Sequence, residues 1–102
     1  MLKREAKSIE IKVWRYLRDR PSIFRIINLS PKLYALIENL RSKSALCEYH
    51  YEKAKELGTH NCSGCPLYFN GGCFYYNVWY DATSNSDRNR AAARILGLIE
   101  NW

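Results

Sequence analysis

A chain of 102 residues, 47% of them hydrophobic, is the size of one domain and too apolar to be a disordered segment. Sixteen lysines and arginines against ten acidic residues leave a net charge of +6, which favours acidic or phosphate-rich partners without requiring them. No run of about 18 apolar residues occurs and the start, Met1-Leu2-Lys3-Arg4-Glu5, has no apolar leader core, so an intracellular protein with no membrane-spanning helix is expected.

Leu2, Ala6, Ile9, Val13, Tyr16 and Leu17 recur at helical spacing and predict a helix to about Asp19, outweighing the strand-like alternation of Ile9, Ile11 and Val13. Pro21 ends it. The dense patch Ile23, Phe24, Ile26, Ile27 and Leu29 reads as a short buried helix in preference to a strand. Ser30-Pro31 is a restart, a capping hydroxyl followed by proline at the first helical position. Leu33, Leu36, Ile37 and Leu40 then extend this helix to about Lys43. Ser44 caps the next, which carries Leu46, Cys47, His50, Tyr51, Ala54 and Leu57 and stops at Gly58.

Beyond Gly58 the character changes. Asn70-Gly71-Gly72 lies between Leu67-Tyr68-Phe69 and Cys73-Phe74-Tyr75-Tyr76, and a turn of this kind between aromatic runs predicts a small β-hairpin. Residues 81–87 form a loop in which Ser84, with Asp87 three residues on, resembles a capping box. The last helix buries Ala92, Ile95, Leu96, Ile99 and Trp102 and offers Arg88, Arg90 and Arg94 to solvent. The fold class expected is therefore mainly α with a small β-hairpin, a single small helical domain. Leu36-Ile37-Glu38-Asn39-Leu40 and Leu98-Ile99-Glu100-Asn101-Trp102, each preceded by a Val-Trp pair (Val13-Trp14 and Val78-Trp79), suggest a variant of this architecture. In it residues 9–43 and 76–102 are degenerate copies of one helical unit around a cysteine-rich insert, 44–75, with a groove between two lobes.

All four cysteines fall between Cys47 and Cys73, with Cys62 and Cys65 as a Cys-x2-Cys knuckle, and both histidines lie among them. Three states compete. Zinc takes four thiolates in a closed tetrahedron, with His50 and His60 as substitute ligands, although zinc ribbons usually carry two knuckles and this chain has one. A [4Fe-4S] cluster also takes four thiolates, and Cys65-Pro66 echoes the Cys-Pro ending of cluster motifs. Two disulfides among Cys47, Cys62, Cys65 and Cys73 would need no cofactor but would need an oxidising compartment or a hyperthermophile.

The segment Cys62-Ser63-Gly64-Cys65-Pro66-Leu67, followed by Cys73, resembles a Cys-x2-Cys-Pro-Leu…Cys segment of small proteins of phages and archaeal viruses, over about a quarter of the chain. The total length and the repeated helical unit are in turn similar to small proteins of Acidianus filamentous viruses. That resemblance implies a body of two motifs acting in protein–protein contact, without enzymology, in the host cytoplasm. The same hexad is similar to the first cysteines of iron–sulfur uracil-DNA glycosylases, from which this chain departs by its length and the absence of their catalytic motifs.

No Ser/His/Asp set, phosphate-cradling glycine loop or paired-carboxylate signature is visible, so an enzyme is not expected. A redox-active Cys62/Cys65 pair is the one exception weighed. The leading expectation is a protein-interaction module that binds a protein or peptide, or a second copy of itself, through an aromatic groove at Tyr75, Tyr76 and Tyr80. The alternative is a metal- or cluster-stabilised nucleic-acid binder. It would use Arg15, Arg18 and Arg20 of the first helix with Arg88, Arg90 and Arg94 of the last.

Overall fold

The helical periodicity of the first segment becomes α1 (Lys3–Asp19) in the computed structural model, which describes residues 1–102. Its buried stripe is Ala6, Glu10, Val13, Trp14 and Leu17, spaced by three and four as one helix face requires. The apolar patch after Pro21 does not form the expected buried helix. A 3₁₀ turn, Ile26–Asn28, is its only regular element; Leu29 is buried, but Ile27 is 69% exposed. The patch is boxed between Pro21 and the Ser30-Pro31 restart, which leaves too few residues to offset helix nucleation.

Helix α2 (Pro31–Ile37) starts as expected, with Ser30 Oγ accepting from the Leu33 amide at 3.4 Å. It ends six residues before Lys43. Leu40 is extended, and Ser42 and Lys43 sit at φ 55° and 50° within a second 3₁₀ turn, Arg41–Lys43. Left-handed residues cannot continue a right-handed helix, and the reversal delivers Ser44 to the head of α3 (Ala45–Leu57). There Ser44 Oγ accepts from the Cys47 amide at 3.2 Å. Gly58, at φ 67°, closes the other end.

No strand forms between Gly58 and Cys73. Asn70 and Gly71 adopt φ 52° and 82°, the two positive angles of a hairpin turn, and Phe69 and Gly72 exchange backbone hydrogen bonds of 2.8 and 3.2 Å. The ladder stops there. The aromatic run that would be its second strand coils instead into α4 (Phe74–Asp81), since Tyr75, Tyr76 and Trp79 also satisfy helical spacing and that choice buries Trp79 completely. The fold is mainly α, without the hairpin.

Helix α5 (Asn85–Glu100) begins at Ser84, whose Oγ accepts from the Asp87 amide at 3.1 Å. Its face of Ala92, Ile95, Leu96 and Ile99 lies against Val13, Trp14 and Leu17 of α1, and Trp79, Ile37, Leu46 and Leu67 complete one core. The radius of gyration, 13.1 Å, is that of a single domain of this length, about 13 Å for 100 residues. Trp14 and Trp79 meet edge to face at 5.2 Å within that core. Residues 13–40 hold the end of α1, a 3₁₀ turn and the short α2, whereas 78–102 hold the end of α4 and the long α5.

Candidate functional site

Glu10 organises the interior. It lies on the apolar stripe of α1, only 4% exposed, and its carboxylate meets the head of α3. Oε1 accepts from the Ala45 amide (2.8 Å), the Leu46 amide (3.3 Å) and Ser44 Oγ (3.2 Å), while Oε2 accepts from Trp14 Nε1 at 2.9 Å. The amides are orphan donors at the positive end of the helix dipole, so a carboxylate from another element serves as a second cap. Burial pushes its pKa up from the usual 4.5, against the opposing pull of these four hydrogen bonds. Sequence reading passed over Glu10. The available signal was a charged residue at a stripe position between Ala6 and Val13.

Beside Glu10 lies a cavity of about 370 Å³, its walls formed by α1, α3, α4 and the loops before and after α3. Cys47, Cys65 and Cys73 line it. Neighbouring thiols raise the pKa values of Cys47, Cys65 and Cys73, each by less than burial does. Burial drives Cys65 up to about 12 and Cys73 to about 11, and it raises Cys47 as well. A thiol raised as far as that of Cys65 is a poor nucleophile. All four are free thiols, and no three His, Cys, Asp or Glu side chains come close enough to grip one ion. Neither of the two expected disulfides is formed. The cysteines arrive from α3, the loop after Gly58 and the residue before α4, and three of them reach the cavity wall.

The histidines divide. His50 is buried; its Nδ1 is bonded to the Leu46 carbonyl at 2.8 Å, and its ring lies against Trp102 at 5.3 Å. His60 is exposed, accepts from the Cys62 amide at 3.2 Å and packs on Tyr68.

A second concavity, a shallow groove of about 710 Å³, runs between α4 and α5. One bank carries Phe74 and Val78, the other Arg90 and Arg94, with Asp81 and Asp87 at one end. Phe74 and Val78 are 46% and 45% exposed although they flank the core residue Trp79. Phe74 continues into an aromatic cluster with Phe69 (5.7 Å) and Tyr75 (5.2 Å).

The tyrosines expected to form the binding surface sit elsewhere. Tyr76 is half-buried among Trp14, Trp79 and Tyr80, Arg94 lies over Tyr75, and Tyr80 is 42% exposed with Arg25 over its ring at 4.0 Å. None of the three lines the groove. On a helix the ring that faces the core and the ring that faces out are neighbours in sequence, so composition could not separate them.

The arginines of the expected basic face are also dispersed. Arg88 is a clamp, its Nε donating to the Pro21 carbonyl at 2.6 Å and its Nη1 to the Ala82 carbonyl at 3.0 Å, and so it is not offered to solvent as expected. Arg18 pairs with Asp19 and Arg90 with Asp87. Arg20 stacks on Tyr16 at 3.9 Å. Arg15 and Arg94 are exposed and have no carboxylate partner.

Compared with protein-family models, with curated proteins and with solved structures, the chain shows no match.

Proposed function

We propose that the protein is a small non-enzymatic interaction module that docks an acidic, amphipathic segment of a partner protein in the groove between α4 and α5. The observation that carries this reading is the exposure of Phe74 and Val78 beside two arginines in one concave surface. Exposed apolar side chains gathered in a groove lose water on docking, and an amphipathic helix laid there inserts its own apolar residues. Arg94, without an internal ion-pair partner, and the net charge of +6 select carboxylates on that segment's flanks. The nucleic-acid alternative retains fewer free cations, because Arg18, Arg88 and Arg90 are engaged within the fold.

The test is fluorescence anisotropy with a labelled helical peptide of alternating acidic and Leu/Phe faces. Wild type binds it, and Phe74→Ala weakens binding about 30-fold, the size of a hot-spot loss near 2 kcal/mol. Arg94→Glu weakens it mainly at low salt. A mixed-sequence DNA duplex is the competing probe. If it binds at physiological salt, and Arg15→Ala with Arg94→Ala abolishes that binding while Phe74→Ala leaves it intact, nucleic acid replaces the peptide as ligand. Concentration-dependent sedimentation abolished by Phe74→Ala, with no peptide binding, would make a second copy of the chain the occupant.

A further inference from the structure

One turn of the cysteine-rich segment is closed by its own backbone and carries a thiol at each end. Cys62, Ser63, Gly64 and Cys65 form a β-turn in which the Cys65 amide donates to the Cys62 carbonyl at 3.1 Å. Gly64 sits at φ 81°, the positive angle that a type II turn places at its third residue. We propose that this turn is a thiol–disulfide exchange site, at which Cys62 and Cys65 react with a low-molecular-weight disulfide and close into a bridge of their own.

The backbone is already shaped for that bridge. A turn of this kind keeps its first and last Cα atoms within about 7 Å, and a disulfide spans Cα separations of about 4.4–6.8 Å. Cys62 and Cys65 can therefore join without moving a helix. Cys47 and Cys73, the rival partners for Cys65, belong to the first turn of α3 and to the residue before α4. Pairing with either would tie the turn to a separate helix.

The two thiols differ in access, and the difference orders the steps. Cys65 lies on the wall of the cavity beside Glu10, whereas half-buried Cys62 lies off that wall, between exposed Asn61 and Ser63. A disulfide arriving from solvent meets Cys62 first. The Cys62 thiolate attacks one sulfur of the reagent, the reagent's S–S bond breaks, and the first small thiol leaves. Cys65 then attacks the Cys62 sulfur of the mixed disulfide and expels the second. Two cysteine thiols are oxidised, the reagent is reduced to two thiols, and two protons pass from the cysteines to the departing sulfurs.

The second step needs a base, since burial holds Cys65 protonated. His50 supplies it. Its Nδ1 bonds the Leu46 carbonyl, which only accepts, so the neutral ring carries its proton there and leaves the Nε2 lone pair free. Nε2 stands 4.0 Å from the point where a Cβ on Gly64 would lie, against the turn and one residue from Cys65. At the entry of the turn His60 Nδ1 accepts from the Cys62 amide at 3.2 Å.

The test incubates the purified, fully reduced full-length chain with glutathione disulfide, traps the remaining thiols with iodoacetamide at successive times and maps them by mass spectrometry. One glutathione on Cys62 should appear first. It should give way to a Cys62–Cys65 bridge while Cys47 and Cys73 still take the alkylating agent. Cys65→Ser should stop at the mixed disulfide, and Cys62→Ser should slow glutathione uptake severalfold. His50→Gln should slow closure severalfold and leave the first step unchanged. The wild-type map stands by itself if a variant fails to fold. A chain that stays reduced in glutathione disulfide overturns the proposal, as does a first adduct on Cys65 or a bridge from Cys65 to Cys47 or Cys73. Closure at the wild-type rate in folded His50→Gln overturns the role given to His50. None of these readouts involves the α4–α5 groove, so this site and the peptide-docking function stand or fall separately.

Discussion

Glu10 shows how much one buried carboxylate can determine. It caps α3 from a different helix, and it holds the indole of Trp14 in place. Glu10→Gln keeps the shape but turns an amide group toward donors, and it is expected to cost about 1–3 kcal/mol in urea unfolding. The pH dependence follows from the raised pKa. The folded state binds the proton more tightly than the unfolded one, so this contribution is fully present below pH 4.5 and is lost as pH rises through the folded-state value. The stability difference between wild type and Glu10→Gln should therefore widen on acidification. A difference that narrows instead would show that the four hydrogen bonds outweigh desolvation.

The two buried tryptophans make a matched comparison at the same scale. Trp14 donates to Glu10, whereas the indole nitrogen of Trp79 is buried without a partner. Trp14→Phe removes a donor from a buried carboxylate and leaves it under-satisfied. Trp79→Phe discards an unpaired group whose burial itself costs about 1–3 kcal/mol, which offsets part of the lost volume. Denaturant melts should show Trp14→Phe to be the more destabilising. Full truncation of either to Ala is expected to cost about 3–5 kcal/mol.

Among the elements, α4 is where local and tertiary preferences part. The Asn70-Gly71 turn forms as its residues demand, yet the chain beyond it chooses a helix because Trp79 then enters the core. Arg88 fixes where this element ends, joining Pro21 after α1 to Ala82 after α4. Arg88→Ala leaves two carbonyls without their charged donor and is expected to lower stability by roughly 1–3 kcal/mol. Arg15→Ala, on an exposed face, should stay within about 0.5 kcal/mol. Equal effects would mean that the clamp contributes nothing.

For the whole molecule, core and proposed interface lie side by side on α4 and respond differently to substitution. Phe74→Ala and Val78→Ala, both exposed, should each change stability by about 0.5 kcal/mol or less in thermal melts while removing peptide binding. A large loss of stability would place them in the core after all.

What the sequence by itself determined were the features whose causes are local. Helix α1, the caps at Ser30, Ser44 and Ser84, the stop at Gly58 and the Asn-Gly turn each follow from a side chain acting on its own neighbouring backbone. The concentration of cysteines was equally plain, because it is a matter of position in the chain. The tertiary structure decided everything that compares burial between alternatives. It turned an aromatic strand into α4, shortened α2 so that Ser44 could meet Glu10, and placed Tyr76 inward while leaving Phe74 outward. It tied Arg88 to two carbonyls and brought Cys47, Cys65 and Cys73 to the wall of one cavity. Each outcome depends on which residues distant in sequence come to share a surface, and a period or a motif read along one segment does not contain that information.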